Sequence, residues 1–164
     1  MRFHYRKIVN QHHRKVYSIA YGMLANTAEA EDATQEVFER VWKNMSKLPD
    51  GDGIQPWLIR ITRNLCIDKL RQRRSHEELM DDQLEAHSSQ QPSSVLAANQ
   101  LSSWLKSAVA QLKDPYRSLV VMLDLQQRSV RETAQSLGLS ENQTKVYSHR
   151  ARKQLRQYLQ GIEL

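Results

Sequence analysis

One helical face near the C-terminus carries the side chains of this 164-residue chain best suited to chemistry. Lys145, Val146, His149, Arg150 and Lys153 recur at i, i+3, i+4 and i+7. Such a face neutralises phosphates with its cations, and its arginine can hold a guanine edge through two hydrogen bonds. From Ser140 to Tyr158 five bases (Lys145, Arg150, Arg152, Lys153 and Arg156) stand against Glu141, a local net charge of +4. The residues just before supply a scaffold. Val130, Thr133, Ala134 and Leu137 make one face of a short helix, Gly138 stands where that helix must stop, and Ser140 can N-cap the next. Short helix, glycine turn and basic helix together predict a helix-turn-helix whose second helix enters a DNA major groove.

Two further sets of side chains share this logic. Between Thr27 and Met45 the spacing predicts a helix whose buried side holds Ala30, Ala33, Val37, Val41 and Met45. Its other side carries Asp32, Gln35, Glu36, Glu39 and Arg40, with Phe38 and Trp42 beside them. Acids mixed with aromatics suit docking on a basic partner, the aromatics acting as anchors. A helix from Gln55 to Arg74 follows, with Pro56 in its first turn. Trp57, Leu58, Ile61, Leu65 and Leu70 line its inner side, and Arg60, Arg63, Lys69, Arg71, Arg73 and Arg74 against Asp68 give it a net charge of +5.

The elements that position these groups are all helical. An apolar stripe from His4 to Leu24 predicts a first helix, with Ala25-Asn26-Thr27 as the break and Thr27 as the next N-cap. Ser46 to Ile54 is rich in turn formers. After Arg74 come five acids (Glu77, Glu78, Asp81, Asp82 and Glu85), then a Ser/Gln/Pro segment to Ser94. That composition reads as a flexible linker over 75–94 between a first domain, 1–74, and a second, 95–164. The second opens with a helix from Leu96 to Leu112, is broken at Lys113-Asp114-Pro115, and continues as a helix through Leu125. No strand pattern of useful length appears, so the expected fold is all-α, two small helical domains.

Composition narrows the function. A net charge of +6 favours a polyanionic partner. One cysteine, Cys66, leaves no internal disulfide and fits a reducing compartment. His12-His13 has no companion acids or cysteines, so no metal or other cofactor is expected. No apolar run approaches a membrane span and no signal peptide is visible, which points to a cytoplasmic protein without membrane insertion. No nucleophile–base set, acid pair or phosphate loop appears, so no catalytic residues are assigned and an enzyme is not expected.

In their order these motifs resemble the extracytoplasmic-function sigma factors of RNA polymerase, over nearly the whole chain. Ala30-Glu-Asp-Ala-Thr-Gln-Glu-Val-Phe-Glu-Arg-Val-Trp42 looks like that family's core-binding helix, and Trp57 to Arg71 like its promoter-melting and minus-ten helix. Leu112-Lys-Asp-Pro-Tyr-Arg117 resembles the entry to its fourth region, and Ser129 to Ala134 with His149-Arg-Ala-Arg152 its minus-thirty-five helix-turn-helix. The resemblance implies a sigma-2-like and a sigma-4-like domain, core RNA polymerase and promoter DNA as partners, an anti-sigma factor as a further partner, and a stress or envelope-signal regulon. It implies core-polymerase contacts at Asp32, Gln35, Glu36, Phe38 and Trp42. It places Asn64 on a flipped minus-ten base and Arg60, Arg63, Lys69, Arg71, Arg73 and Arg74 on phosphates. At the minus-thirty-five site it gives Val146, His149 and Arg150 to bases, and Arg128, Lys145, Arg152, Lys153 and Arg156 to the DNA around them.

The chain departs from the family's pattern at Asn142-Gln-Thr-Lys-Val146, where a Gly-Thr-Val-Lys-Ser run is usual, and at Thr133, which replaces an isoleucine. Thr144 and Ser148 hold normally apolar positions. Buried hydroxyls need partners, so a marginal second domain is expected. Asp50 and Asp52 make the loop before the minus-ten helix unusually acidic for a strand-binding surface. The alternative reading is a stand-alone helix-turn-helix regulator. The acidic-aromatic helix paired with a basic one speaks against it, since a dimeric repressor needs neither.

Overall fold

The computed structural model describes residues 2–80 and 97–160. Residues 81–96, most of the expected linker, lie outside the described residues. Among the described residues every regular element is helical. Helix α1 runs Arg2–Leu24, α2 Thr27–Lys43 and α3 Ile54–Met80. In the second lobe α4 is Ala97–Gln111, α5 the single turn Tyr116–Leu119, α6 Val130–Leu137 and α7 Glu141–Gln160.

Helix ends shift by one or two residues from the sequence reading, and three departures have a clear local reason. The N-cap of α2 is Asn26, not Thr27: extended backbone lets Asn26 Oδ1 accept from the Glu29 amide at 2.9 Å. Helix α3 runs six residues beyond Arg74, through the first two acids of the expected linker. Ser75, His76, Glu77 and Glu78 face solvent there, and a helix needs no buried face where its side chains are polar and helix-tolerant. Finally, the helix expected through Leu125 is one α turn followed by π-helix, Val120–Leu125, in which the Gln126 amide reaches back five residues to Val121 O.

The helix-turn-helix is built as its sequence indicates. Ser129 Oγ accepts from the Glu132 amide, and Gly138 closes α6 at φ 68°, a left-handed conformation that glycine adopts without a Cβ clash. Ser140 and Gln143 then cap α7 reciprocally, each side chain accepting from the other's backbone amide at 3.0 Å. Of the hydroxyls in this core, Thr144 donates to Ser140 O at 2.8 Å, whereas buried Thr133 Oγ1 has no partner.

The two lobes share one apolar core. Ile19, Met23, Val37, Val41, Leu58 and Cys66 of the first pack continuously with Val109, Leu112, Val121 and Met122 of the second. Cys66 is fully enclosed, and burial pushes its thiol up to about 12 against the opposing pull of Lys69. The lobes pack tightly at Gly22 on α1, where an added Cβ would sit 2.9 Å from Cγ1 of Val121. Valine is stiff at χ1 and cannot swing clear cheaply. In an isolated helix Gly22→Ala would stabilise by about 1 kcal/mol. Here overpacking of about 1–3 kcal/mol offsets that gain and pushes the lobes apart. Fluorescence transfer between dyes on α2 and α7 should therefore fall in Gly22→Ala. Unchanged transfer together with raised stability would contradict the close packing.

Candidate functional site

Helix α7 presents its basic side outward. Thr144, Ser148 and Ala151 are buried against the second lobe, which turns Lys145, Val146, His149, Arg150, Lys153 and Arg156 to solvent. Val146 stays 49% exposed, unusual for a large aliphatic side chain with no neighbour to cover it. The Arg150 guanidinium lies over the Tyr147 ring, 5.8 Å from its centroid. Arg152 shares the exposed helix but is paired with Asp124 at 2.8 Å, which holds its guanidinium more firmly protonated. Arg128 lies apart from this face, at the lobe junction: it is half-buried, its Nε has no partner, and burial lowers its pKa.

On α3 the buried residues Leu58, Ile59, Thr62, Leu65 and Cys66 orient the rest. Asn64 and Arg60, Arg71 and Arg74 are exposed. Apart from Arg74, the bases of this helix have partners within the chain, Arg71 with Asp68 at 3.9 Å. Arg63 donates to Ser118 Oγ at 3.1 Å and pairs with Asp114, both in the second lobe. Arg60 reaches Gln135 O at 3.4 Å. Arg73 pairs with Glu29 and donates to Leu24 O, and Lys69 stands 3.9 Å from Glu36. The expected minus-ten set is thus gathered on one helix, but the second lobe covers part of it.

On α2, Asp32 and Gln35 are exposed and Glu36 is half-buried in an ion pair with Arg40. Trp42 is 47% exposed. Phe38 departs from the expectation of a docking side chain: it is buried, because Val37, Phe38 and Val41 all turn toward α1. Helix α1 supplies what the sequence reading missed. Tyr5 meets Trp42 edge-on at 5.0 Å and donates to Phe38 O, and His13 stacks on Phe38 at 5.9 Å. Burial, then Glu39, raises the Tyr5 pKa. Together α1 and α2 form a groove of about 810 Å³ with an aromatic floor and Glu31, Gln35 and Glu39 at its rim. Tyr5, Val9, His12 and Val16 are visible in the sequence as an apolar stripe, but nothing in that stripe separates residues facing the core from those facing the groove.

Residues 8–76 match the family model for sigma-70 region 2, and residues 102–155 match that for sigma-70 region 4. The chain is 33% identical over 156 residues to the ECF RNA polymerase sigma factor SigE of Mycolicibacterium smegmatis, covering 93% of this chain and 60% of that protein's length. It is 29% identical over 166 residues to SigW of Bacillus subtilis, covering 94% of this chain and 88% of that one. Among solved structures it resembles CnrH in complex with the cytosolic domain of CnrY, with a TM-score of 0.74, 20% identity and coverage of 99% and 92%. It also resembles the sigma factor RpoE in complex with the anti-sigma factor NepR from Bartonella quintana, with a TM-score of 0.71, 18% identity and coverage of 94% and 96%. Two sigma-70 regions in order on one all-α chain define a sigma factor. The chain belongs to the extracytoplasmic-function RNA polymerase sigma factors.

No helix among the described residues is long and apolar enough to cross a membrane.

The lobe junction also titrates. His12 on α1 has a buried Nδ1 with no partner, and burial, then Lys15 and Arg128, lower its pKa from 6.5. Glu132, beside Arg128, is the nearby acid. A histidine with a lowered pKa binds fewer protons folded than unfolded. The stability it permits is therefore complete above its ordinary value near 6.5 and is lost as pH falls through that value. Urea midpoints measured from pH 7.5 to 5.5 should drop more steeply in the wild type than in His12→Gln. Parallel curves would show that His12 is freely solvated.

Proposed function

We propose that this protein recruits core RNA polymerase to promoters and opens their minus-ten region, without itself performing catalysis. The observation that carries the reading is the outward face of α7, where Lys145, Val146, His149, Arg150 and Lys153 are all exposed on a helix capped and backed by a helix-turn-helix. Arg150 and His149 read base edges, Val146 offers its isopropyl group to a thymine methyl, and Lys145, Lys153 and Arg156 neutralise phosphates. Arg152, held by Asp124, positions the helix more than it contacts DNA.

At the minus-ten element Asn64 meets an unstacked base while Arg60, Arg71 and Arg74 follow the strand. Arg63, Arg73 and Lys69 join them once their internal partners are released. Flipping a base costs a few kcal/mol, which phosphate contacts and a base pocket must offset. Core polymerase docks on the α1–α2 groove, with Asp32, Gln35 and Glu36 at its acidic edge and the Tyr5–Trp42 pair as its aromatic anchor; Phe38 forms the floor. The domain limits that follow are a sigma-2-like unit through α3, the segment beyond it as tether, and a sigma-4-like unit from α4. CnrH was solved with the cytosolic domain of CnrY and RpoE with the anti-sigma factor NepR, and by analogy an anti-sigma factor holds this protein inactive. It acts in the cytoplasm, where the polymerase is.

Run-off transcription with purified core polymerase on genomic fragments tests the reading. The wild type should start transcripts at a discrete set of promoters. Arg150→Ala should lose about 1–3 kcal/mol of discrimination, about 5- to 150-fold, at one minus-thirty-five base pair, and Trp42→Ala should weaken core binding at every promoter. A folded protein that stimulates no promoter-specific start would refute it.

A further inference from the structure

Where the end of α1, the middle of α3 and the residues leading into α5 meet, the lobes enclose a cavity of about 230 Å³. Its floor is apolar, made by Met23, Ile67, Leu70 and Leu112, and its walls carry Arg71, Arg74, Lys113 and Arg117. The one carboxylate lining it, Asp114, is already engaged: one oxygen holds Arg63 and the other accepts from Ser118 Oγ at 2.6 Å. Arg71 stands 3.9 Å from Asp68, which leaves Arg74, Lys113 and Arg117 without a paired carboxylate among the described residues.

Arg117 makes the imbalance acute. It is 5% exposed, and its three nitrogens donate to the carbonyls of Leu112, Met23 and Ala110. A guanidinium carries five N–H groups, so two remain, and no carboxylate among the described residues takes them. Burial, then Arg74 and Arg73, push its pKa down to about 10, with Asp114 opposing only in part. A buried cation without a counter-ion is costly, and an anion supplied from outside would relieve it. Guanidinium forks converging from separate helices suit the tetrahedral oxygens of a phosphate better than a flat carboxylate. Ligand clefts commonly span roughly 300–1,000 Å³, so this one suits a small molecule, phosphate against the arginines and a compact organic part on the apolar floor.

We propose that this interlobe cavity binds a small phosphate monoester and that its occupancy holds the two lobes closed. The walls come from both lobes, so the site exists only when they are together. A ligand that binds only the closed arrangement stabilises it by mass action. Arg71 and Arg74 are also the side chains assigned to the minus-ten strand, so an occupied cavity withdraws them from DNA.

Calorimetric titration of the full-length protein at fixed ionic strength, with phenyl phosphate, inorganic phosphate and benzoate as probes, tests the proposal. Phenyl phosphate should saturate one site and raise the melting temperature. Inorganic phosphate, lacking the apolar ring, and benzoate, lacking the second charge, should each bind at least about tenfold more weakly. Lys113→Glu, with its helicity checked by circular dichroism, should cost a further tenfold or more. Gly22→Ala, which separates the lobes without touching a charge, should weaken binding comparably. No saturable binding of phenyl phosphate overturns the proposal. So does benzoate binding equally well, which marks a carboxylate site. Wild-type affinity in both variants overturns it too, by placing the phosphate elsewhere on the basic surface.

Discussion

The last carbonyls of α1 are where this fold is tied together. A helix ends with backbone acceptors that its own amides cannot satisfy, and in α1 these fall inside the molecule rather than at its surface. Arg117 enters from the second lobe and donates to Met23 O at 3.0 Å, and Arg73 reaches Leu24 O from α3 at 3.3 Å. Cations at a helix C-terminus also complement its dipole. The same two arginines therefore cap α1, pin α3 beside it and hold the second lobe against both. With Gly22 permitting contact at Val121, the shared core closes over this point.

The cost of that arrangement is that basic side chains serve two masters. Arg63 faces Asp114, Arg73 faces Glu29, and Arg152 faces Asp124, so bases that the proposed reading gives to DNA are paired within the chain. Ion pairs near the surface are worth ~0–1 kcal/mol each, so exchanging these carboxylates for nucleic-acid phosphates is a small step in energy for each side chain. The large barrier to opening lies in the apolar contact between lobes. Charge thus sets which partner is preferred, and packing sets whether the exchange begins.

Much of this was legible in residue spacing. The helix-turn-helix follows from Ser129, Gly138 and Ser140, whose cap and turn roles are local and independent of the rest of the chain. The basic faces of α3 and α7 follow from 3.6-residue periodicity. What the sequence could not show is whatever depends on contact between distant elements. Phe38 sits beside Glu39 on the pattern yet is buried, because α1 covers it. Arg117 belongs to a recognisable motif, but its carbonyl partner on α1 lies 94 residues away. The continuation of α3 past Arg74 was obscured because acidic composition suggests a linker, although glutamates tolerate a helix well.

Cys66 shows how the packing limits what this protein can sense. Its thiol is wholly enclosed between helices and held protonated far above neutral pH, so the thiolate that peroxides and disulfides require is scarce and out of reach. Oxidants can modify it only after the first lobe has come apart. A redox response through this thiol therefore requires the first lobe to open beforehand, so its chemistry follows the stability of the fold.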